Sequence, residues 1–170
     1  MYRFKQQLSN KRISFIKAQG YFHLTDPEIN ALAFGNRFAY ILCGSLLTVA
    51  VIMAHIPLLL VMTSIAFATV ILPYHPFDYI YNHVLRHSLK KPELPPRSKQ
   101  LKFACTIATL WLIATTSLFY AGSTVAKYVV GGMLVSVALI LITTDYCIPS
   151  MIYNYLFKGK NLKPVANCLK

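Results

Sequence analysis

Acidic side chains are scarce in this sequence. Asp26, Glu28, Asp78, Glu93 and Asp145 stand against 17 Lys and Arg, a formal net charge of +12. Such a surplus can mark a nucleic-acid binder. Here the basic residues fall in three blocks separated by long uncharged stretches, which is how membrane proteins carry positive charge, so nucleic acid is not an expected partner. The apolar stretches also lack acids and bases at mid-depth. That argues against an ion pump or transporter, because charge in a bilayer core is costly and kept for function. Cysteine is sparse and without paired spacing: Cys43, Cys105, Cys147 and Cys168 offer neither a disulfide framework nor a zinc pattern. Cys43 and Cys105 read as small hydrophobes within apolar segments. No histidine pair faces across a span and no CxxCH occurs, so haem is not expected; no cofactor is predicted, and the residues leave open whether a pigment, quinone or specific lipid binds between the helices. The first 36 residues hold no apolar run of signal-peptide length, and the first hydrophobic segment is expected to be a retained signal-anchor.

What the sequence does have is apolar length. Hydrophobic residues make up 56% of the 170, and charged residues 13%, about half the usual ~25%. The pattern predicts an all-α membrane protein: four transmembrane helices in two hairpins, joined by a cytoplasmic amphipathic helix and a Pro-rich linker. Residues 1–24 form a basic amphipathic segment suited to an anionic membrane surface. Residues 25–73 form the first hairpin. Thr25 and Glu28 fit a capping box with Pro27 in the first turn, and His55-Ile56-Pro57 marks the reversal between apolar runs Phe38–His55 and Leu58–Leu72. Residues 74–101 hold an amphipathic helix, Pro76 to Leu89, with Phe77, Ile80, Tyr81, Val84 and Leu85 at helical spacing. The extended linker Lys90 to Arg97 follows. Residues 102–157 form the second hairpin, with Ser98 as a cap, Gly122 ending the third helix and Ser123 starting the fourth. That last helix is expected to run on towards Phe157 with a disturbance at Pro149. Residues 158–170 are a basic tail.

Charge sets the expected orientation. Sixteen of the 17 Lys and Arg lie before the first span, in the middle loop or in the tail, and Lys127 alone lies in a hairpin turn. The positive-inside rule then places both termini and the middle loop in the cytoplasm, with a bacterial inner membrane as the expected location. The bilayer, with its anionic head groups, and a membrane-protein partner are the expected contacts.

Candidate functional groups gather at the cytoplasmic face. Asp78, Asn82, Arg86 and Asp145 form an expected interfacial polar cluster, with His75, His83 and His87 nearby and Asp145 within reach of Arg37 or Arg86. His83 and His87 stand four apart and could share a metal with Asp78 or His75, although no HExxH-like pattern accompanies them and histidines are ordinary at an interface. Cys147-Ile148-Pro149-Ser150 looks like a CxxC redox pair with serine as its second member, which makes Cys147 the candidate catalytic residue. Its expected place at the C-terminal end of a span disfavours a thiolate. Gly44-x-x-x-Thr48 and Gly132-x-x-x-Ser136 read as helix-contact seams.

Phe77 to Arg86, Lys102-Phe103-Ala104 and Asp145 to Tyr155 together resemble an uncharacterised bacterial family of small four-span integral membrane proteins with a Cys-x-x-Cys after the last span. The resemblance runs over about residues 30–158. Members often occur beside sulfurtransferase or thioredoxin-like genes, so the resemblance implies a sulfur or thiol-redox partnership. Cys147 matches the first cysteine and Ser150 replaces the second, which departs from an intramolecular disulfide mechanism. The leading expectation is therefore an accessory or scaffold subunit of a larger membrane complex. A thiol or sulfur-handling protein using Cys147 and a small transporter or channel are the alternatives.

Overall fold

The computed structural model describes residues 8–157. Arg3 and Lys5 of the N-terminal segment and the whole basic tail with Cys168 lie outside the described residues. Among the described residues the chain is helical with no strand. The helices are α1 (Asn10–Ala18), α2 (Asp26–Ile52), α3 (Ile56–Ile71), α4 (Pro76–Leu89), α5 (Lys99–Tyr120), α6 (Ala126–Thr144) and α7 (Ile148–Leu156). Helix α4 is α-helical over Pro76–Ile80 and Arg86–Leu89, with a π-helical turn over Tyr81–Leu85 between them.

Local chemistry explains most boundaries. The Glu28 carboxylate accepts from the Thr25 backbone N–H at 2.7 Å, satisfying a donor that a helix start leaves open. The reversal after α2 is a Schellman-type stop, in which the His55 N–H reaches back to the Ala50 carbonyl at 2.9 Å while Ala54 takes φ +50°. His55 Nδ1 then accepts from the Leu58 N–H and starts α3. Ser98 caps α5 through the Leu101 N–H. Gly122, at φ +71°, ends it with the Ser123 N–H bonded to the Leu118 carbonyl. Ser123 does not cap the next helix, because α6 starts only at Ala126 and its N-cap position falls on Val125.

Helices α2, α3, α5 and α6 form a four-membered ring: α2 packs on α3 and α6, and α5 packs on α3 and α6. Helices α2, α5 and α6 are each long and apolar enough to cross a membrane. Helix α3 has 16 residues, or about 24 Å at ~1.5 Å per residue, and reaches that standard only together with α4, from which it bends by 80°. One end of the ring carries just the two short turns. Its core is Leu47, Ala50, Val51, Leu59, Met62, Leu112, Phe119 and Leu134.

Helices α1, α4, α7 and the linker sit at the other end, over a second core containing Ile13, Ile16, Ile29, Leu101 and Cys147. The apolar face of α1, expected to rest on lipid, is turned into this core: Ile13 and Ile16 are buried and the helix packs on α2 and α7. Helix α6 does not run on to Phe157. It stops at Asp145, a left-handed residue at φ +59°, a conformation Asp tolerates better than most. Pro149 causes no disturbance within a helix; it stands in the first turn of the separate α7, where a missing N–H costs little.

Candidate functional site

The charged end is organised by two carboxylates. At the α3–α4 junction His75 caps α4, its Nδ1 accepting from the Phe77 N–H at 3.1 Å while Asp78 Oδ2 accepts from the His75 N–H at 3.1 Å. Asp78 is gripped by Arg97 of the linker, Nε to Oδ2 and Nη2 to Oδ1, both at 2.6 Å. Arg97 Nη1 also donates to Asn36 Oδ1 at 3.3 Å and to the Tyr40 hydroxyl at 3.1 Å. The second carboxylate, Asp145, receives Arg37 of α2 in bidentate fashion and Arg12 of α1 at 2.9 Å. Gln19 joins the two. Its side-chain amide donates to the Asp145 carbonyl at 2.7 Å, and its Oε1 accepts from Asn36 and Tyr40. Buried polar groups without partners cost free energy; this network pairs the two carboxylates with groups from α1, α2, the linker and the residues beside them.

Beneath the network, between the ring helices, lies a cavity of about 180 Å³. Its walls are apolar, with Leu47, Met62, Ala108 and Leu134 among them, and its charged-end rim holds Tyr40, His75, Arg97 and Tyr146. Cys43 from α2, Cys105 from α5 and Cys147 from the start of α7 all line it. All three are free thiols.

Cys147 is not at a helix C-terminus, as its place after the fourth apolar run suggested. The break at Asp145 turns the chain, and Cys147 becomes the N-cap of α7, the end where the backbone dipole favours negative charge. The Ser150 hydroxyl donates to its sulfur at 3.1 Å. Burial pushes the Cys147 thiol up from its ordinary range, and the Ser150 hydrogen bonding draws it part of the way back. The thiol is therefore protonated at neutral pH, with a donor in place for the anion.

Cys43 Sγ lies 3.4 Å from His75 Nε2. The imidazole is not a base for that thiol. Nδ1 accepts a backbone N–H, so in the neutral ring Nε2 must carry the proton, and it points an N–H at the sulfur. Burial also drives His75 down to about 4, which keeps it uncharged at neutral pH.

The other residues marked by the sequence are dispersed. Arg86 pairs with Glu93 at 2.6 Å and contacts neither carboxylate hub; Arg37 and Arg12 take the place beside Asp145. Asn82 holds the linker, its side chain accepting from the Leu94 N–H at 3.0 Å and donating to the Leu94 carbonyl. His83 is exposed and stacks on Tyr79, and His87 is exposed. With His75 turned to the cavity and Asp78 held by Arg97, these groups do not converge. Among the described residues no group of three His, Cys, Asp or Glu is placed to hold a metal.

Sequence reasoning missed Arg97 as the partner of Asp78 and missed the company Cys147 keeps. One signal was present: Cys43 follows Arg37 by six residues and Cys105 follows Lys102 by three, so each thiol lies within about two turns of the last charged residue of its helix.

The family model for a domain of unknown function, DUF4395, matches residues 34–158. No curated protein and no solved structure matches the chain. The family match spans every element that lines the cavity, and the chain belongs to the DUF4395 family.

Proposed function

We propose that this DUF4395 member is a thiol-handling integral membrane protein whose working group is Cys147. One observation carries the reading: three cysteines from three separate elements open onto one apolar cavity, and one of them caps a helix with a serine hydroxyl on its sulfur. Buried cysteines scattered as small hydrophobes need not share a cavity. At rest the Cys147 thiol is an uncharged, soft donor. When its proton leaves, the start of α7 and Ser150 are placed to stabilise the thiolate.

In the same proposal the ring crosses a bacterial inner membrane four times, with α1, α4, the linker and α7 on the cytoplasmic side. The support is the sixteen-to-one division of basic residues. The cavity mouth then faces the cytoplasmic half of the bilayer.

The test is acid-quenched thiol trapping in native membranes followed by mass spectrometry of the Cys147 peptide. The reading expects a mixed disulfide on Cys147, formed by attack of its thiolate on a partner's disulfide whose second sulfur leaves as a thiol, and loss of function in Cys147→Ala. A fully reduced Cys147 together with a wild-type Cys147→Ala strain would sink it.

A second reading, an accessory subunit of a larger membrane complex, draws on α6. Its apolar window is 11% buried within the protein, against 39% for α2 and 33% for α5. A Cβ added at Gly132 would meet nothing within 4 Å, so the Gly132-x-x-x-Ser136 seam faces outward, where a partner helix can approach closely. Gentle-detergent purification should then bring a stoichiometric membrane partner, and a solitary monomer would count against it.

A further inference from the structure

We propose that the thiol-lined cavity binds a small, uncharged ring compound bearing a carbonyl, of the quinone-headgroup class, with the carbonyl oxygen on His75 Nε2–H. The inference rests on the reading of this cavity as the working site and names what enters it.

Size comes first. A closed apolar cavity of ~150 Å³ takes up one benzene, and this one, about 180 Å³ and open to one side, admits one six-membered ring whose outer substituents stay at the mouth. Charge comes next. Arg97 is the cationic group on the rim, but Asp78 neutralises it, and its Nε, Nη1 and Nη2 atoms are all engaged with Asp78, Asn36 and Tyr40. An anion would find no open fork to bind, and an uncharged ligand meets walls of its own polarity.

Of the buried rim groups, His75 offers an N–H donor whose present acceptor is weak. His75 is locked by the start of α4 into the tautomer that directs Nε2–H at the cavity. The acceptor it meets is the Cys43 sulfur at 3.4 Å, and sulfur accepts weakly. A carbonyl oxygen is the better acceptor, so a ligand supplying one gains a stronger hydrogen bond than the Cys43 sulfur offers. Uncharged ring carbonyls also dissolve in the bilayer from which a site between these helices is entered.

The experiment uses the full chain in lipid nanodiscs with two probes of the same outline. Tetramethyl-1,4-benzoquinone has no free ring position for thiol addition. Tetramethylbenzene lacks the carbonyls. Trp111 is the single tryptophan of the chain and packs against the apolar core beside the cavity, so quenching of its fluorescence reports the quinone; thermal stabilisation reports both probes. The expected result is saturable one-to-one binding of the quinone, with tetramethylbenzene about tenfold weaker or worse.

His75→Ser keeps a capping hydroxyl for α4 but cannot reach the ligand. It should weaken the quinone about tenfold and leave tetramethylbenzene unchanged. Ala108→Phe fills the cavity and should remove both. Should either variant fail to fold, the infrared spectrum of the bound quinone decides on the wild-type protein: the single carbonyl band of the symmetric free quinone should split, with one component at lower frequency. Non-saturable quinone binding, equal affinity for the two probes, or an unsplit, unshifted carbonyl band would overturn the proposal. Cys147→Ala should still bind the quinone, so failure of the ligand and failure of Cys147 chemistry are separate results.

Discussion

Arg97 and Asp78 face each other through two 2.6 Å contacts with both side chains almost wholly buried, at 3% and 1% exposure. They are 19 residues apart, one on the linker and one in the first turn of α4. Arg97 also donates its backbone N–H to the Pro73 carbonyl at 2.7 Å. The pair therefore pins a proline-rich strand of chain to the bend between α3 and α4. Removing one partner from a buried pair leaves an uncompensated charge, which typically costs ~3–5 kcal/mol. Arg97→Ala and Asp78→Ala should each lose stability of about that size in detergent unfolding. The double variant should lose clearly less than the sum; a fully additive double variant would mean that the two side chains do not depend on each other.

Asn82 acts on the same linker through both backbone groups of Leu94. Asn82→Ala should strand those two groups at a cost of ~1–3 kcal/mol. Limited proteolysis gives the sharper readout: cleavage within residues 90–97 should speed up, with the ring helices left intact.

Gly44 sits where α2 meets α6. A Cβ there would meet Ile142 Cδ1, the end of a flexible side chain that can turn aside. Ala also gains about 1 kcal/mol over Gly in a helix interior, so Gly44→Ala should shift unfolding stability by no more than about that amount. A loss of several kcal/mol would mean that Ile142 is held in place.

His75 makes stability depend on pH. Its folded value is pushed down from 6.5 to about 4 by burial, so between those values the unfolded chain binds the proton and the folded chain does not. Stability is then fully present above about pH 6.5 and falls as the pH drops towards 4. The whole shift corresponds to about 3 kcal/mol at ~1.4 kcal/mol for each tenfold change. His75→Ser should flatten that part of the melting-temperature profile in detergent; an unchanged slope would assign it to other groups.

The proposed orientation predicts sidedness. A cysteine placed at Ser123, in the turn between α5 and α6, in a cysteine-free background should react with an impermeant maleimide from the periplasmic face of intact cells. Labelling only after the inner membrane is opened would reverse the topology.

The hairpin boundaries were legible because they depend on neighbours in the chain. Thr25 with Glu28, Ser98, Gly122 and the turn at His55 act through groups a few residues away. The stop at Asp145 was less legible. Pro149 advertised a disturbance, but the chain turns four residues earlier, where Arg37 and Arg12 converge on the Asp145 carboxylate. Arg37 was one of two partners the sequence offered for Asp145, and the structure forms that pair; Arg12, from the far end of the chain, had no local signal.

The distribution of charge and apolar length in the sequence by itself determined helices of membrane-crossing character and a single charged end, since hydrophobic length and local capping need no tertiary information. Only the tertiary structure decided which carboxylate meets which arginine, that the face of α1 belongs to protein, and that Cys147 starts a helix. It also decided that Cys43, Cys105, Cys147 and His75 look into one cavity. Those relations join residues as far apart in the chain as Arg12 and Asp145, and they follow from how the helices pack, which no local spacing encodes.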